Sequence, residues 1–192
     1  MPTYVEEEPE VYEQEDLDKF FAACTPEEWL YFQFFLCTGM REQEVMHTYI
    51  RDISFQSSVV RVSGKPEFKW KPKKNKGREI PLPTRLIEPL RRHIDARKDD
   101  SPLLFPTSSD GKPEGHFLRM CKDIATRAGF TNLNDFYLHK FRATFATACL
   151  QNGIDLATVQ AWMGHTDLAS TMRYLRPARG LKVKQMVDQI FT

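Results

Sequence analysis

Apolar and polar positions along the chain fall into two regimes. Up to about residue 83 helical and strand-like patterns alternate, and beyond it almost every segment is helical. The stretch "TPEEWLYFQFFLCTG" opens with a capping box: Thr25 is the N-cap, Pro26 occupies the first helical position and Glu28 reaches back. Gly39 supplies the stop. Its apolar residues face several directions, which predicts a buried central helix. A second helix is predicted from about Arg41, through "REQEVMHTYI".

"DISFQSSVVRVSG" reads as two short strands around a polar turn, with Val59, Val60 and Val62 as β-branched positions. "REIPLP" is a third, its prolines marking an edge or exit. From Thr84 onward five helical segments follow. Gly129, Gly153 and Gly164 stand where C-caps belong, and Asp155 and Thr166 where N-caps belong. The pattern predicts an α+β fold, mainly helical, with a small three-stranded antiparallel sheet at one edge. In the last segment, "LKVKQMVDQIF", Val183, Met186, Val187, Ile190 and Phe191 make one apolar stripe that must dock on its own domain or on a neighbour.

Composition narrows the class. An apolar content of 41% with 28% charged residues over 192 positions suits a globular protein with a real core. No apolar run approaches the ~18 residues of a membrane span, and the N-terminus has no signal pattern. Cys24, Cys37, Cys121 and Cys149 lack the short spacings of a zinc site or disulfide framework, which makes a reducing cytoplasm the default location.

Charge changes the picture more. Residues 1–18 hold eight acids and no Lys or Arg, so against an overall formal charge of +1 the remainder carries +9. A basic body suits a polyanionic ligand, although a solvated acidic tail on a mildly basic domain accounts for the charge equally well. The connection between the second and third strands, "GKPEFKWKPKKNKG", concentrates Lys65, Lys69, Lys71, Lys73, Lys74 and Lys76. Connections of this length in compact domains are functional or disordered.

Four segments share one chemical theme. "TGMREQEV" offers Arg41 and Glu44, "LHKFRATFAT" offers His139 and Arg142, "MGHTD" places His165 after a glycine cap, and Tyr174 lies in the helix beyond. Together with a lysine, these are the parts for phosphodiester transfer without a metal or other cofactor. Charge gathers on the non-bridging oxygens under attack, and arginine forks meet it better than ammonium groups do. A phenol of ordinary pKa about 10 needs neighbouring cations to favour its phenolate. A lysine among cations releases a proton to a leaving oxygen more readily. Each piece alone also has a bland reading. Arg41 and Glu44 make an ordinary surface pair, His165 a turn residue, Tyr174 half-buried packing and the lysine run a solvated loop. A zinc site using His139 and His165 lacks a supporting spacing.

In this order and spacing the segments resemble the catalytic domain of the tyrosine recombinases, the phage-integrase-like family, from about Tyr12 to beyond Tyr174. "TGMREQE" resembles the first arginine box, "HKFRATFAT" the second, and "MGHTDLASTMRYL" the box that carries the nucleophile. The resemblance implies Arg41, Lys73, His139, Arg142, His165 and the nucleophile Tyr174 as catalytic residues, with Glu44 supporting Arg41. Lys73 is assigned by counting seven positions back from Ile80 in the "IPL" element, and "KPEFKW" resembles an insertion in that hairpin. Further DNA contacts are expected from Lys71, Lys74, Lys76, Lys140 and Arg173.

The implied activity is site-specific DNA recombination or integration, cleaving and rejoining strands through a 3′-phosphotyrosyl intermediate without metal or ATP. Alternatives are a type IB topoisomerase-like nicking and closing enzyme, or a non-catalytic DNA-binding relative. The expected organisation is a flexible acidic leader (1–14), a catalytic domain (15–180) and a C-terminal amphipathic helix (181–192) that docks in trans or on its own domain. Double-stranded DNA and further copies of the chain, as a tetramer on DNA and a monomer when free, are the expected partners. The family's N-terminal DNA-clamping domain is expected to be absent, as in an excised catalytic domain.

Overall fold

The computed structural model describes residues 9–73, 77–107 and 111–175. Its helices are α1 (Gln14–Ala22), α2 (Pro26–Thr38), α3 (Glu42–Met46), α4 (Thr84–Asp95), α5 (Phe117–Arg127), α6 (Leu138–Gln151), α7 (Leu156–Met163) and α8 (Ala169–Met172). The strands are β1 (Ile53–Ser54), β2 (Val59–Val62) and β3 (Arg78–Pro81). They form one antiparallel sheet in the order β1-β2-β3, so the predicted α+β class holds.

Helix α2 is the spine. The capping box forms as read, with Glu28 N donating to Thr25 Oγ1 at 3.3 Å and Thr25 N to Glu28 Oε2 at 2.8 Å. Its all-round apolar surface is buried at Leu30, Tyr31, Phe32, Phe34 and Phe35, against α6 on one side and α4 on another. Phe20, Phe32 and Phe141 bring α1, α2 and α6 together, with ring centroids 5.2 and 5.6 Å from Phe20. Offset and edge-on aromatic pairs of this kind add ~0.5–1.5 kcal/mol each beyond their buried area.

The sheet's register decides what its two faces carry. Val60 pairs with Ile80 and Val62 with Arg78, while Arg61 pairs with Glu79 on the outer face, where the two form an ion pair at 2.7 Å. Alternation therefore turns Arg78 inward beside Val62 and Ile80.

Three expectations need correction. Residues 10–13 do not belong to a loose leader. Tyr12 is buried, its backbone N–H donates to Thr144 Oγ1 at 2.9 Å, and Tyr137 Oη donates to Glu10 Oε2 at 2.8 Å. An aromatic that can fill the Phe136–Phe141 corner docks, and its acidic neighbours follow it. The helix after Arg41 is shorter than its pattern suggests, because the Thr48 hydroxyl donates to Glu44 O at 2.8 Å and the chain leaves as a bridge between Tyr49 and Leu103.

The first part of the lysine-rich connection is not a mobile reach. Lys65 and Trp70 exchange backbone hydrogen bonds at 2.8 and 3.1 Å around a short 3₁₀ turn (Pro66–Phe68). Trp70 stacks on His47 at 4.7 Å. The Lys65 ammonium is 2% exposed and bonds Asp52 Oδ2 at 2.8 Å and Ser63 Oγ at 2.7 Å. Lys74, Lys76 and residues 181–192 lie outside the described residues.

Candidate active site

Arg41 is the N-cap of α3, two positions after the left-handed Gly39 (φ 58°) that ends α2. Its guanidinium donates to Glu44 Oε1 at 3.1 Å and its backbone N–H to Glu44 Oε2 at 2.8 Å. Glu44 is buried. Burial opposes its ionisation, but hydrogen bonds and charge from Arg78, and then Arg41, outweigh it and hold the carboxyl below its ordinary value.

Arg142 projects from α6 into the junction between the end of α2 and the end of α7. It is 1% exposed, and its two terminal nitrogens donate to the carbonyls of Gly39 and Met163. Its Nη2 also lies 3.1 Å from His165 Nε2. Burial, followed by the charge of Arg41, pushes its pKa down to about 9. The Nε atoms of Arg142 and Arg173 are buried with no hydrogen-bond partner among the described residues. Leaving such a donor unmet costs ~1–3 kcal/mol.

His165 follows Gly164, the left-handed C-cap of α7 (φ 62°). An arginine can only donate, so Nε2 must be the accepting nitrogen. Nδ1 therefore carries the hydrogen and donates to Thr171 Oγ1 at 2.8 Å. Burial, then the charges of Arg142 and Arg41, lower the pKa of His165 to about 4. Thr171 is fully buried, and its carbonyl accepts from Tyr174 N at 3.0 Å. The Tyr174 ring lies nearly parallel to His165, with centroids 6.3 Å apart, and the residue is 2% exposed. His139 begins α6 on the side of Arg142, and its pKa is lowered by burial and then by Arg142, Arg173 and Arg41.

The fold thus gathers Arg41, Glu44, His139, Arg142, His165, Arg173 and Tyr174 around one place. Lys71 and Lys73 are exposed on the connection. Lys140 turns away, its ammonium 4.8 Å above the Tyr12 ring. The helix predicted from Thr166 begins later, where Asp167 Oδ1 accepts from Ser170 N at 2.8 Å.

Sequence reading missed two residues. Arg78 donates to both oxygens of Glu44, at 2.9 and 2.7 Å, and to Trp162 O at 2.5 Å. The signal was available: an arginine two positions before a buried Ile80 shares its inward face. Thr171, three positions before Tyr174, sits one helical turn from it and links it to His165.

Guanidinium groups clustered beside a buried phenol are the geometry against which the comparisons with known proteins are read. The model of the phage integrase family matches residues 10–180. The chain belongs to that family. This integrase-family chain is 32% identical to tyrosine recombinase XerA of Pyrococcus furiosus over 143 residues, which is 72% of the chain and 46% of the relative. It is 30% identical to tyrosine recombinase XerD of Staphylococcus saprophyticus over 160 residues, 79% of the chain and 50% of the relative. The chain spans about half the length of these curated relatives. In fold it is similar to the crystal structure of XerA recombinase, with a TM-score of 0.75 and 22% identity over 97% of this chain and 67% of that one. It is also similar to the catalytic domain of bacteriophage HP1 integrase, with a TM-score of 0.63 and 18% identity over 94% and 95% of the two chains.

Proposed function

We propose that the chain is the catalytic part of a site-specific DNA recombinase, with Tyr174 as its nucleophile. The observation that carries this reading is the chain of contacts Arg142–His165–Thr171–Tyr174, which ties the phenol-bearing turn to the most buried guanidinium among the described residues.

Tyr174 Oη attacks the scissile phosphorus, forming a 3′-phosphotyrosyl bond as the 5′ oxygen leaves. Arg41 and Arg142 meet the charge on the non-bridging oxygens, joined by His165. Their positions are set before substrate arrives, so little reorganisation accompanies the transition state. Both histidines have depressed pKa values and are neutral near pH 7. His139 can therefore accept the tyrosine proton, and His165 contributes as a neutral group. Lys73, exposed at the hairpin, protonates the leaving 5′ oxygen. The phosphotyrosyl bond conserves the energy of the broken linkage, so a 5′-hydroxyl from a second duplex reverses the step. Lys71, Lys74, Lys76 and Arg173 hold the flanking backbone. A tetramer on paired sites, joined through residues 181–192, completes the reading. The recombinase XerH has been solved bound to palindromic difH substrate, and duplex DNA is the substrate class we assign to this chain as well.

The test is a pool of nicked duplexes of random sequence, in which loss of a short 5′-hydroxyl fragment traps the intermediate. The chain should form adducts that survive denaturant and enrich a common sequence, and Tyr174→Phe should form none. Adducts with no enriched sequence, accompanied by relaxation of supercoiled plasmid, would place the chain with nicking and closing enzymes instead.

A further inference from the structure

We infer that Arg78 is a positioning residue for this chemistry: it clamps the turn that carries Arg41 to the turn that carries His165. The inference takes the proposed cleavage by Tyr174 as its frame.

The clamp is built from donors in fixed geometry. Nη1 and Nη2 of Arg78 take the two oxygens of Glu44, and Nε takes the carbonyl of Trp162. Glu44 receives two more bonds from Arg41, so both of its oxygens are doubly satisfied. A carboxylate held this way is a rigid joint between two guanidinium groups.

On the other side, Trp162 and Met163 are the last two residues of α7, whose carbonyls have no partner within the helix. Arg78 takes the first and Arg142 the second. Two cations at the negative end of the helix favour this arrangement. Gly164 then turns over Arg78 at φ 62°, and a Cβ there would lie 3.0–3.2 Å from three guanidinium atoms. The turn that delivers His165 therefore rests on Arg78. Arg78 itself comes from the inner face of β3, so the sheet sets the spacing of two boxes that lie far apart in sequence.

Burial alone does not explain such a pair, since apolar replacements of buried ion pairs are commonly as stable. A positioning role has a separate signature. With Arg78 removed, Glu44 stays buried beside Arg41 alone, and desolvation favours its protonated form. Its other neighbours are the charge of Arg142 and, across a small gap, His47, Thr48, Arg61 and the Asp52–Lys65 pair. As pH falls Glu44 then takes a proton, Arg41 loses its anchor, and cleavage gains an acid limb beyond the one that protonation of His139 gives the native chain.

The experiment measures adduct formation on the trapped nicked-duplex pool against pH for the native chain, Arg78→Met, Arg78→Lys and Arg78→Met/Glu44→Gln. We expect Arg78→Met to slow adduct formation roughly 100-fold at neutral pH with DNA affinity within about threefold, since positioning acts on the reaction rather than on uniform binding. Its rate should fall further on the acid side. Arg78→Lys, which keeps charge without the fork, should recover part of the rate, and the double variant should lose the added acid limb. The same samples are titrated by carbon NMR of the Glu44 carboxyl. Its midpoint must rise in Arg78→Met, or by a smaller step in Arg78→Lys should the methionine variant not fold. An unchanged midpoint overturns the inference, as does a double variant that keeps the acid limb Arg78→Met adds to the native profile. Should the native chain form no adduct, the functional reading fails, and the carboxyl titration together with amide exchange at Gly164 still decides whether Arg78 holds the joint.

Discussion

Arg142 Nη2 and His165 Nε2 face each other at 3.1 Å, and because the arginine can only donate, the histidine must present its lone pair. That contact and the bond from Nδ1 to Thr171 Oγ1 together fix the tautomer and the orientation of His165. Nitrogen NMR should show the Nδ1–H tautomer, and Thr171→Val should release it, since the valine cannot accept the Nδ1 hydrogen.

Burial of His165, and then the charge of Arg142, make stability depend on pH. The folded-state pKa of His165, about 4, lies below the ordinary histidine value of 6.5. Between these values the unfolded chain binds the proton and the folded chain does not. Stability therefore falls as pH drops from about 6.5 towards about 4 and is complete above that window. The group is partly exposed, so the contribution is on the order of 1–2 kcal/mol after screening. Denaturant melts of the native chain and His165→Gln across this range should converge at low pH.

Replacing Arg142 should damage both fold and chemistry. Arg142→Ala strands the carbonyls of Gly39 and Met163, at about 1–3 kcal/mol for each unmet group. Arg142→Lys keeps a charge but cannot reach both carbonyls and His165 together. We expect adduct formation to fall roughly 10³-fold in each, the size seen when a charge-stabilising donor is lost, with a larger fall in melting temperature for the alanine.

Lys65 and Lys73 should separate cleanly, although both lie in one lysine-rich stretch. Lys65→Ala leaves Asp52 buried without its ammonium partner and should destabilise by about 3–5 kcal/mol. Lys73 is exposed, so Lys73→Ala should melt like the native chain yet cleave roughly 10²- to 10⁴-fold more slowly, the usual worth of a general acid. A substrate whose bridging 5′ oxygen is replaced by sulfur needs no proton on leaving, and it should restore the rate of Lys73→Ala only.

Gly39 should tolerate nothing larger. At φ 58° an added Cβ would sit 2.3 Å from the Phe145 ring, and Gly39 O is one of the two carbonyls that hold Arg142. Gly39→Ala should cost about 2 kcal/mol or more through backbone strain and overpacking. Thermal melts and adduct rates should fall together, which distinguishes it from Lys73→Ala.

Much of this architecture was legible in the chain. The capping box at Thr25, the glycine stop at Gly39, the three strands and the caps at Asp155 and Gly164 are local signals, and local chemistry honoured them. Residues that depend on distant partners were harder to read. Tyr12 looked like part of a solvated acidic tail because its acidic neighbours dominate the window, but the cavity it fills is built by α6. Lys65 read as one of six cations in a solvated loop, and only the fold supplies the Asp52 that buries it. Arg78 sat in plain alternation with Ile80, yet a charged residue on an inward face has no evident use until Glu44 and Trp162 are seen beside it.

The most direct test identifies which side chain carries the DNA. Adducts trapped on the nicked pool are digested with nuclease and protease, and the modified peptide is sequenced by mass spectrometry. We expect a nucleotide linked through its 3′ phosphate to Tyr174. A nucleotide on any other residue, or an adduct of equal yield from Tyr174→Phe, would contradict the assignment of this phenol as nucleophile.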